Sequence, residues 1–225
     1  TGTAVDGDDF AGTSSFSIDP GQNFDQVSFL ALNDNFVEET ETVIAQISAL
    51  TMGTPASGAS TSTANIYDLD TSGLTVSVTS SVTGVVEGVS DITYDITLDG
   101  GLINGTGSDI TGTLSLGGSA SAPGDFTDVT SFSIPNGFGT TAVTVTVIDD
   151  TIPESTETVI ASISGLNFGV PNASNNSASV NIIDDDATGV IISIAPVVDT
   201  VDEDGGVPLS FDVYIEGGGV NTTCL

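Results

Sequence analysis

The chain has 225 residues with no Lys, Arg or His, so its 31 Asp and Glu residues give a formal charge of −31. Nothing in it can neutralise phosphate, which excludes nucleic acid and anionic membrane surfaces as partners. Nor can acidic clusters be balanced by salt bridges: where carboxylates converge they must bind a cation, take up protons or spread apart.

The apolar content still suits a folded protein, because Val, Ile, Leu and Phe recur along the whole length with Thr and Ser between them. No run of 18 apolar residues occurs, so no membrane insertion is expected. The start at Thr1, without Met, fits a processed product or a fragment. Cys224 is the one cysteine, so an internal disulfide is impossible. Asn104, Asn172, Asn175 and Asn221 head Asn-x-Ser/Thr sequons and are candidate glycosylation sites in a secreted setting.

An internal repeat organises the chain. Thr40-Glu41-Thr42-Val43-Ile44-Ala45 returns as Thr156-Glu157-Thr158-Val159-Ile160-Ala161, an offset of 116. The same offset carries residues 1–70 onto 117–186 without a gap, with 27 identities in those 70 positions. These include Asp9 with Asp125, Phe10 with Phe126, Phe16 with Phe132, Asp34 with Asp150, Glu38 with Glu154, and Asp68 and Asp70 with Asp184 and Asp186. A further copy starts near 188: Glu87 matches Glu203 and, after one inserted residue, Tyr94-Asp95-Ile96 matches Phe211-Asp212-Val213.

In chain order, residues 1–70 are the back part of a repeat, 71–187 a complete repeat and 188–225 the front of a third. Alternating apolar runs between Gly, Pro and Asp turns predict strands over 74–80, 92–98, 110–116, 130–134, 140–148, 156–164 and 177–184. Seven or so short strands in about a hundred residues fit an all-β Greek-key sandwich. The recurring Phe and Tyr residues are expected in its core.

The two partial copies complement each other. Residues 1–70 lack the first three strands and 188–225 supply the first two, leaving about one strand unfilled. Neither part should be stable alone, with open edges and an open apolar face. Two explanations stand: a cut from a long tandem array, or C-terminal strands of one molecule completing the N-terminal sandwich of the next. Such a heterologous contact does not close and yields a filament.

The order Gly124-Asp125-Phe126, Val145–Val147, Ile148-Asp149-Asp150, Glu154, Glu157-Thr158 and Ile182-Ile183-Asp184-Asp185-Asp186 resembles the Calx-beta family along the entire chain. The resemblance implies tandem immunoglobulin-like sandwiches with calcium at one end. The implied ligands are Glu87, Asp125, Asp149, Asp150, Glu154, Asp184, Asp185 and Asp186 in the complete copy. In the first copy they are Asp9, Asp34, Glu38, Asp68 and Asp70, with Asn33 and Leu69 departing from the pattern. The early glutamate of that copy is missing and could come from Glu203 of a neighbour. Glu41 and Glu157, at a strand start, are either ligands or strand-edge polar residues.

An enzyme is not expected: there is no His, Lys or Arg for base, clamp or oxyanion work, no Gly-x-Ser-x-Gly elbow and no Trp for sugar stacking. The expectation is an extracellular or cell-surface structural subunit, polymerised head to tail with copies of itself, calcium rigidifying the joints. The alternative is a calcium-dependent adhesin or binding module within a longer repeat protein, with glycans as a further candidate partner.

Overall fold

The structure is a computed structural model and describes residues 2–186 and 191–216. Five short strands belong to the first, partial copy: β1 (Phe10–Gly12), β2 (Phe29–Ala31), β3 (Phe36–Val37), β4 (Glu41–Gln46) and β5 (Thr61–Ile66). The complete copy holds β6 (Thr75–Thr79), β7 (Gly84–Val86), β8 (Ile92–Leu98), β9 (Ile103–Asn104), β10 (Ile110–Gly118), β11 (Ser131–Ile134), β12 (Thr140–Val145), β13 (Glu157–Ser164), β14 (Val170–Pro171) and β15 (Ser177–Ile183). The third contributes β16 (Ile191–Pro196) and β17 (Phe211–Glu216). The chain is all-β, with three-residue 3-10 turns at Asp99–Gly101 and Glu203–Gly205.

The complete copy is a two-layer sandwich. One sheet runs β11-β10-β13-β15-β7 and the other β12-β8-β6-β14. Pleat alternation buries one face of each. In β8, Ile92, Tyr94, Ile96 and Leu98 are buried while Thr93, Asp95 and Thr97 are half-exposed. They meet Ile110, Leu114, Ile134, Val159, Ala161 and Val180 of the opposite sheet in one apolar cluster. Tyr94 crosses that layer, its hydroxyl donating to the Val159 carbonyl at 2.8 Å. A buried phenol needs such a partner, and burial pushes its pKa up to about 12.

The seven expected strands of this copy are all present, six with ends within two residues of expectation and one, 140–148, cut short at Val145. β12 stops at Val145 because the Asp91 carboxylate accepts the Val147 amide at 3.1 Å. Val147 then bridges Phe126 instead. The additional strands β7, β9 and β14 span two or three residues each, too few for an alternating pattern to show.

The partial copies keep the pairings whose partners lie nearby. β4 pairs with β5 from Glu41↔Ile66 to Gln46↔Thr61, the same register as β13 with β15 from Glu157↔Ile182 to Ser162↔Ser177. Likewise Ile192↔Ile215 and Ile194↔Val213 reproduce Val76↔Leu98 and Val78↔Ile96, with the single inserted residue absorbed in the loop. Residues 15–18, which match β11, form no strand. Their partner would be a counterpart of β10.

The first and second copies share a joint. β3 pairs in parallel with β9, and the Ile103 and Gly105 amides donate to the Asn35 and Val37 carbonyls at 2.9 Å each. Val37 is fully buried within the apolar cluster of the complete copy.

Candidate functional site

The site of the complete copy begins with a glycine. Gly118 has φ +122, and a Cβ there would lie 2.1 Å from the Thr158 carbonyl oxygen. Only glycine lets the end of β10 pass this close to β13. Beyond it the Ala120 amide donates to that same carbonyl at 3.1 Å. The loop then closes on itself, the Ser121 amide donating to the Asp125 carboxylate at 2.7 Å. This sets Asp125 beside Glu157 at the start of β13. With Glu154 the two offer ligand oxygens all within 4.8 Å of one another.

Two further segments converge there. The turn after β12 is fixed by Asp150, which accepts the Ile152 amide at 2.6 Å. Asp184, just after β15, accepts the amides of Glu154 at 2.9 Å and Asp186 at 3.2 Å. β7 adds the last group: its parallel pairing with β15 is extended by the Glu87 amide, which donates to the Ile183 carbonyl at 3.1 Å. The Glu87 side chain is buried and hydrogen-bonds Asp184. Asp149 lies over Gly88, where a Cβ would come within 2.8 Å of its Oδ1.

Crowding of like charge out of bulk water shows in the acidities. Glu87 is pushed up to about 7 by burial, by its hydrogen bond with Asp184 and by the charges of Asp184, Asp150 and Glu154. Glu157 is likewise pushed up to about 7 by burial and by the Asp125 carboxylate that it hydrogen-bonds. Glu154 is raised by burial and by Asp125, Asp150 and Asp184. Asp186 is raised by desolvation and by Asp185, Asp184, Asp149 and Asp150. Its Oδ2 is buried without a hydrogen-bond partner among the described residues.

The first copy builds the same frame. Gly2 has φ +138, and its Cβ would meet the Thr42 carbonyl oxygen at 2.0 Å. Asp9 accepts the Val5 amide and joins Glu38 and Glu41 in a second cluster within 4.8 Å. Asp34 accepts the Phe36 amide at 2.8 Å, and Asp68 the amides of Glu38 and Asp70 at 2.9 Å each. Glu41 rises to about 7 through burial and its hydrogen bond with Asp9. Glu38 is raised by burial and by Asp9, Asp34, Asp68 and Asp8. For Asp68 the upward push of burial is outweighed by the Thr71 hydroxyl and by the Glu38, Asp70 and Thr71 amides, so it lies below the usual range. A cavity of about 190 Å³, lined by Asp9, Asp34, Glu38, Glu41 and Asp68 among others, opens here.

Most of the expected ligand residues thus sit at one end of each copy. Of the expected ligands only Asp9, Glu38, Asp125 and Glu154 belong to the three-carboxylate clusters; Asp34, Asp68, Asp70, Glu87, Asp149, Asp150, Asp184, Asp185, Asp186 and the exposed Glu203 stand outside them. Glu41 and Glu157, ambiguous in the sequence, are central to both. The signal for them was the identical Glu-Thr-Val-Ile-Ala run. Asp8, which raises Glu38, carried no signal because Gly124 stands at its matching position.

The sequon expectation needs correction at Asn104. Its side chain is fully buried, and its amide donates to the Ser108 and Ile134 carbonyls at 2.8 and 3.0 Å, so no glycan can be attached in the folded copy. Asn172 spends its amide on Asp99 at 2.8 Å, while Asn175 is exposed. Asn221 and Cys224 lie outside the described residues.

All-oxygen, flexibly looped carboxylate sets with no cation in the chain fit a hard divalent ion, which takes about six to eight oxygens in adaptable geometry. The partnerless Asp186 Oδ2 fits such a ligand role. The fold and sites define a class: tandem β-sandwich repeats with acidic loops gathered at one end. The Calx-beta domain profile matches residues 1–72 and 70–186, and the chain belongs to that family.

Among solved structures, the chain is similar to calcium binding domain CBD12 of CALX1.1, at 24% identity over 48% of this chain and 44% of that one, with a TM-score of 0.41. It is similar to the apo-form Calx CBD1 domain at 23% identity over 49% of this chain and 99% of that one, also at 0.41. The chain thus spans less than half the length of the CBD12 structure and nearly all of the single CBD1 domain. No curated protein sequence matches it.

Proposed function

We propose that the chain is a structural subunit of an extracellular filament or surface stalk, assembled head to tail by β-strand complementation, with calcium rigidifying the joints between repeats. One observation carries this reading. Val76, Val78, Ile92, Tyr94 and Ile96 of the complete copy are 0–1% exposed, whereas their counterparts Ile192, Ile194, Leu209, Phe211 and Val213 are 57–69% exposed. The face they would cover is open in the first copy: Phe132, Ile134, Val145 and Ile163 are 0–5% exposed, but Phe16, Ile18, Phe29 and Ile47 are 37–50%. Each partial copy presents the apolar surface that the other lacks, in the register of the intact sandwich.

Family membership and the two carboxylate clusters support the calcium part of this reading. At the joint between the first and complete copies an acidic turn leans on the next copy, residues 33–38 lying on 101–105 through β3 and β9. Bridging carboxylates with a dication there removes the repulsion that would splay the turn. An extracellular setting goes with this, since such joints need a steady calcium supply. Among the described residues no helix is long and apolar enough to cross a membrane.

Two chains test the reading, Ile18→Asp and Val213→Asp, each altering one exposed face. Wild type should form open-ended polymers in millimolar calcium, seen by sedimentation velocity and negative-stain microscopy. Neither variant alone should extend, and an equimolar mixture should give discrete dimers. Wild-type monomers at high concentration with calcium would overturn the filament and favour an adhesin segment whose open faces are filled by neighbouring repeats of a longer chain. Calorimetry without heat at millimolar calcium would overturn the calcium part.

A further inference from the structure

We infer that the first-copy acidic site is completed in trans by Glu203 of a second copy of this chain, so that calcium binding and head-to-tail assembly are one coupled event. The inference rests on the strand-complementation reading and adds a ligand and a coupling to it.

The complete copy supplies the template. There β7 adds in parallel to the outer edge of β15, with Asn181↔Gly84, Ile182↔Val85 and Ile183↔Val86 in register. The next residue, Glu87, is thereby lowered onto Asp184, buried and hydrogen-bonded to it. Among the described residues the first copy has the receiving half of this arrangement and not the donating half. Its Asn65, Ile66 and Tyr67 match Asn181, Ile182 and Ile183, and the edge of β5 away from β4 has no strand partner in the described residues. Tyr67 is 70% exposed, and the Asp68 carboxylate beyond it is held by the Glu38, Asp70 and Thr71 amides and the Thr71 hydroxyl, with no counterpart of the Glu87 side chain on it among the described residues.

The donating half exists elsewhere in the sequence. Thr200-Val201-Asp202-Glu203 stands where the complete copy has Gly84-Val85-Val86-Glu87. Val201 keeps the inward apolar position held by buried Val85. Asp202 replaces Val86, which is half-exposed in the intact sandwich, so its charge is tolerated there. Glu203 itself is exposed in a three-residue 3-10 turn. The segment is tied to β16 and β17, whose pairing already has the intact register. Docking that hairpin on the open face of another molecule continues the β6–β8 interface of the complete copy and carries Glu203 to Asp68.

The charge then decides when docking occurs. Asp9, Glu38, Glu41 and Asp68 already crowd the cavity, and a further carboxylate arriving from outside meets like charge at every side, because the chain offers no cationic side chain. Apolar burial draws the hairpin in while the carboxylates oppose it. A dication at the junction reverses the second term and gains a ligand at the same moment. Each event favours the other by the same factor, as linkage requires.

The experiment follows assembly of the full chain by sedimentation velocity across a calcium titration, for wild type, Glu203→Gln, Glu203→Asp and Asp204→Asn. Both glutamine and asparagine variants lose one exposed charge from the same turn, so folding is not at stake. Glu203→Gln should raise the calcium midpoint of assembly roughly tenfold, since calcium affinity follows the charge count of the ligands. Glu203→Asp should recover part of that shift, and Asp204→Asn should leave the midpoint within about twofold, being a change of net charge alone. Assembly of Glu203→Gln at the wild-type midpoint, or an equal shift for Asp204→Asn, overturns the ligand role while leaving the filament standing. Wild type that polymerises equally in chelator overturns the coupling. Wild type that never polymerises overturns the filament and this inference with it.

Discussion

In the first copy and in the complete one, an aspartate from the Asp-Phe pair meets a glutamate at a strand start, and a second aspartate after the following strand accepts the amide of the turn glutamate at 2.9 Å. The two frames agree although the described residues of the first copy form five strands and those of the complete copy ten. What differs is the surroundings: the complete copy adds buried Glu87, and the first copy leaves that place open. The loops take their shape from contacts whose two partners both copies keep: Gly118 against Thr158 and Ser121 against Asp125 in one, Gly2 against Thr42 and Val5 against Asp9 in the other. The core depends on strands more than fifty residues apart, as in Tyr94 with Val159. The shared frame of ligands therefore forms without the front strands of the sandwich, and the burial of its core does not.

The largest effect that separates the two copies comes from one substitution made twice. Phe132→Ala removes a ring that is 5% exposed and should cost about 3–5 kcal/mol, because the buried surface is lost and a cavity remains. Phe16→Ala, at the matching position of the first copy and 40% exposed, should cost under about 1 kcal/mol in monomeric protein. Urea denaturation of the monomer in chelator measures both. Equal costs would mean that the first copy is closed in solution. In assembled protein the second cost should rise towards the first.

The sequence told much of this because the repeat did the aligning. All seven strands expected between 74 and 184 exist; the offset of 116 paired acidic positions of the two copies, and the resemblance to the Calx-beta family marked them as ligands. Asn104 heads a sequon but is unavailable to a glycan, because a buried polar residue, held by the Ser108 and Ile134 carbonyls, leaves no trace in a tripeptide pattern. β7 was missed because Gly84–Val86 is short and pairs in parallel with a strand nearly a hundred residues away. The central place of Glu157 was undecidable until Gly118 brought Asp125 against it. The β3–β9 joint lay beyond reach, since neither pair of residues alternates long enough to declare a strand.

The next effect is a pH dependence. A carboxyl whose pKa rises on folding favours the folded state below its unfolded value and loses that contribution as pH climbs through the folded one. Glu87 moves from 4.5 to about 7 through burial, Asp184, Asp150 and Glu154. Stability of the calcium-free complete copy should therefore fall between pH 4.5 and 8, and calcium should restore it at the upper end. Glu87→Gln should flatten that fall, raising the calcium-free Tm at pH 8 by several degrees, at about 4 °C per kcal/mol for a copy intermediate between small and mid-sized domains. The same change should shrink the Tm gain on adding calcium. Scanning calorimetry from pH 4.5 to 8 checks both. A calcium-free Tm that rises with pH would show that Glu87 is not crowded in solution.

The smallest effect isolates the joint that ties one site to the next copy. At Gly105 an added Cβ would lie 2.9 Å from Glu38 Cγ and 3.0 Å from Phe36 Cβ, so Gly105→Ala must push the acidic turn of the first copy away from β9. The Glu38 side chain is flexible and can yield, so the cost should be about 1 kcal/mol, the low end for overfilling a contact. Amide hydrogen exchange reads it directly. The Ile103 and Gly105 amides, which donate to Asn35 and Val37, should exchange faster, while those of β8 and β13 keep their protection. Calcium should slow exchange at Ile103 and Gly105 in wild type more than in the variant, because the ion braces the turn that carries Asp34 and Glu38. If exchange at the two amides ignores both calcium and the added methyl, the acidic turn and the joint are independent, and calcium rigidifies each copy without rigidifying the chain.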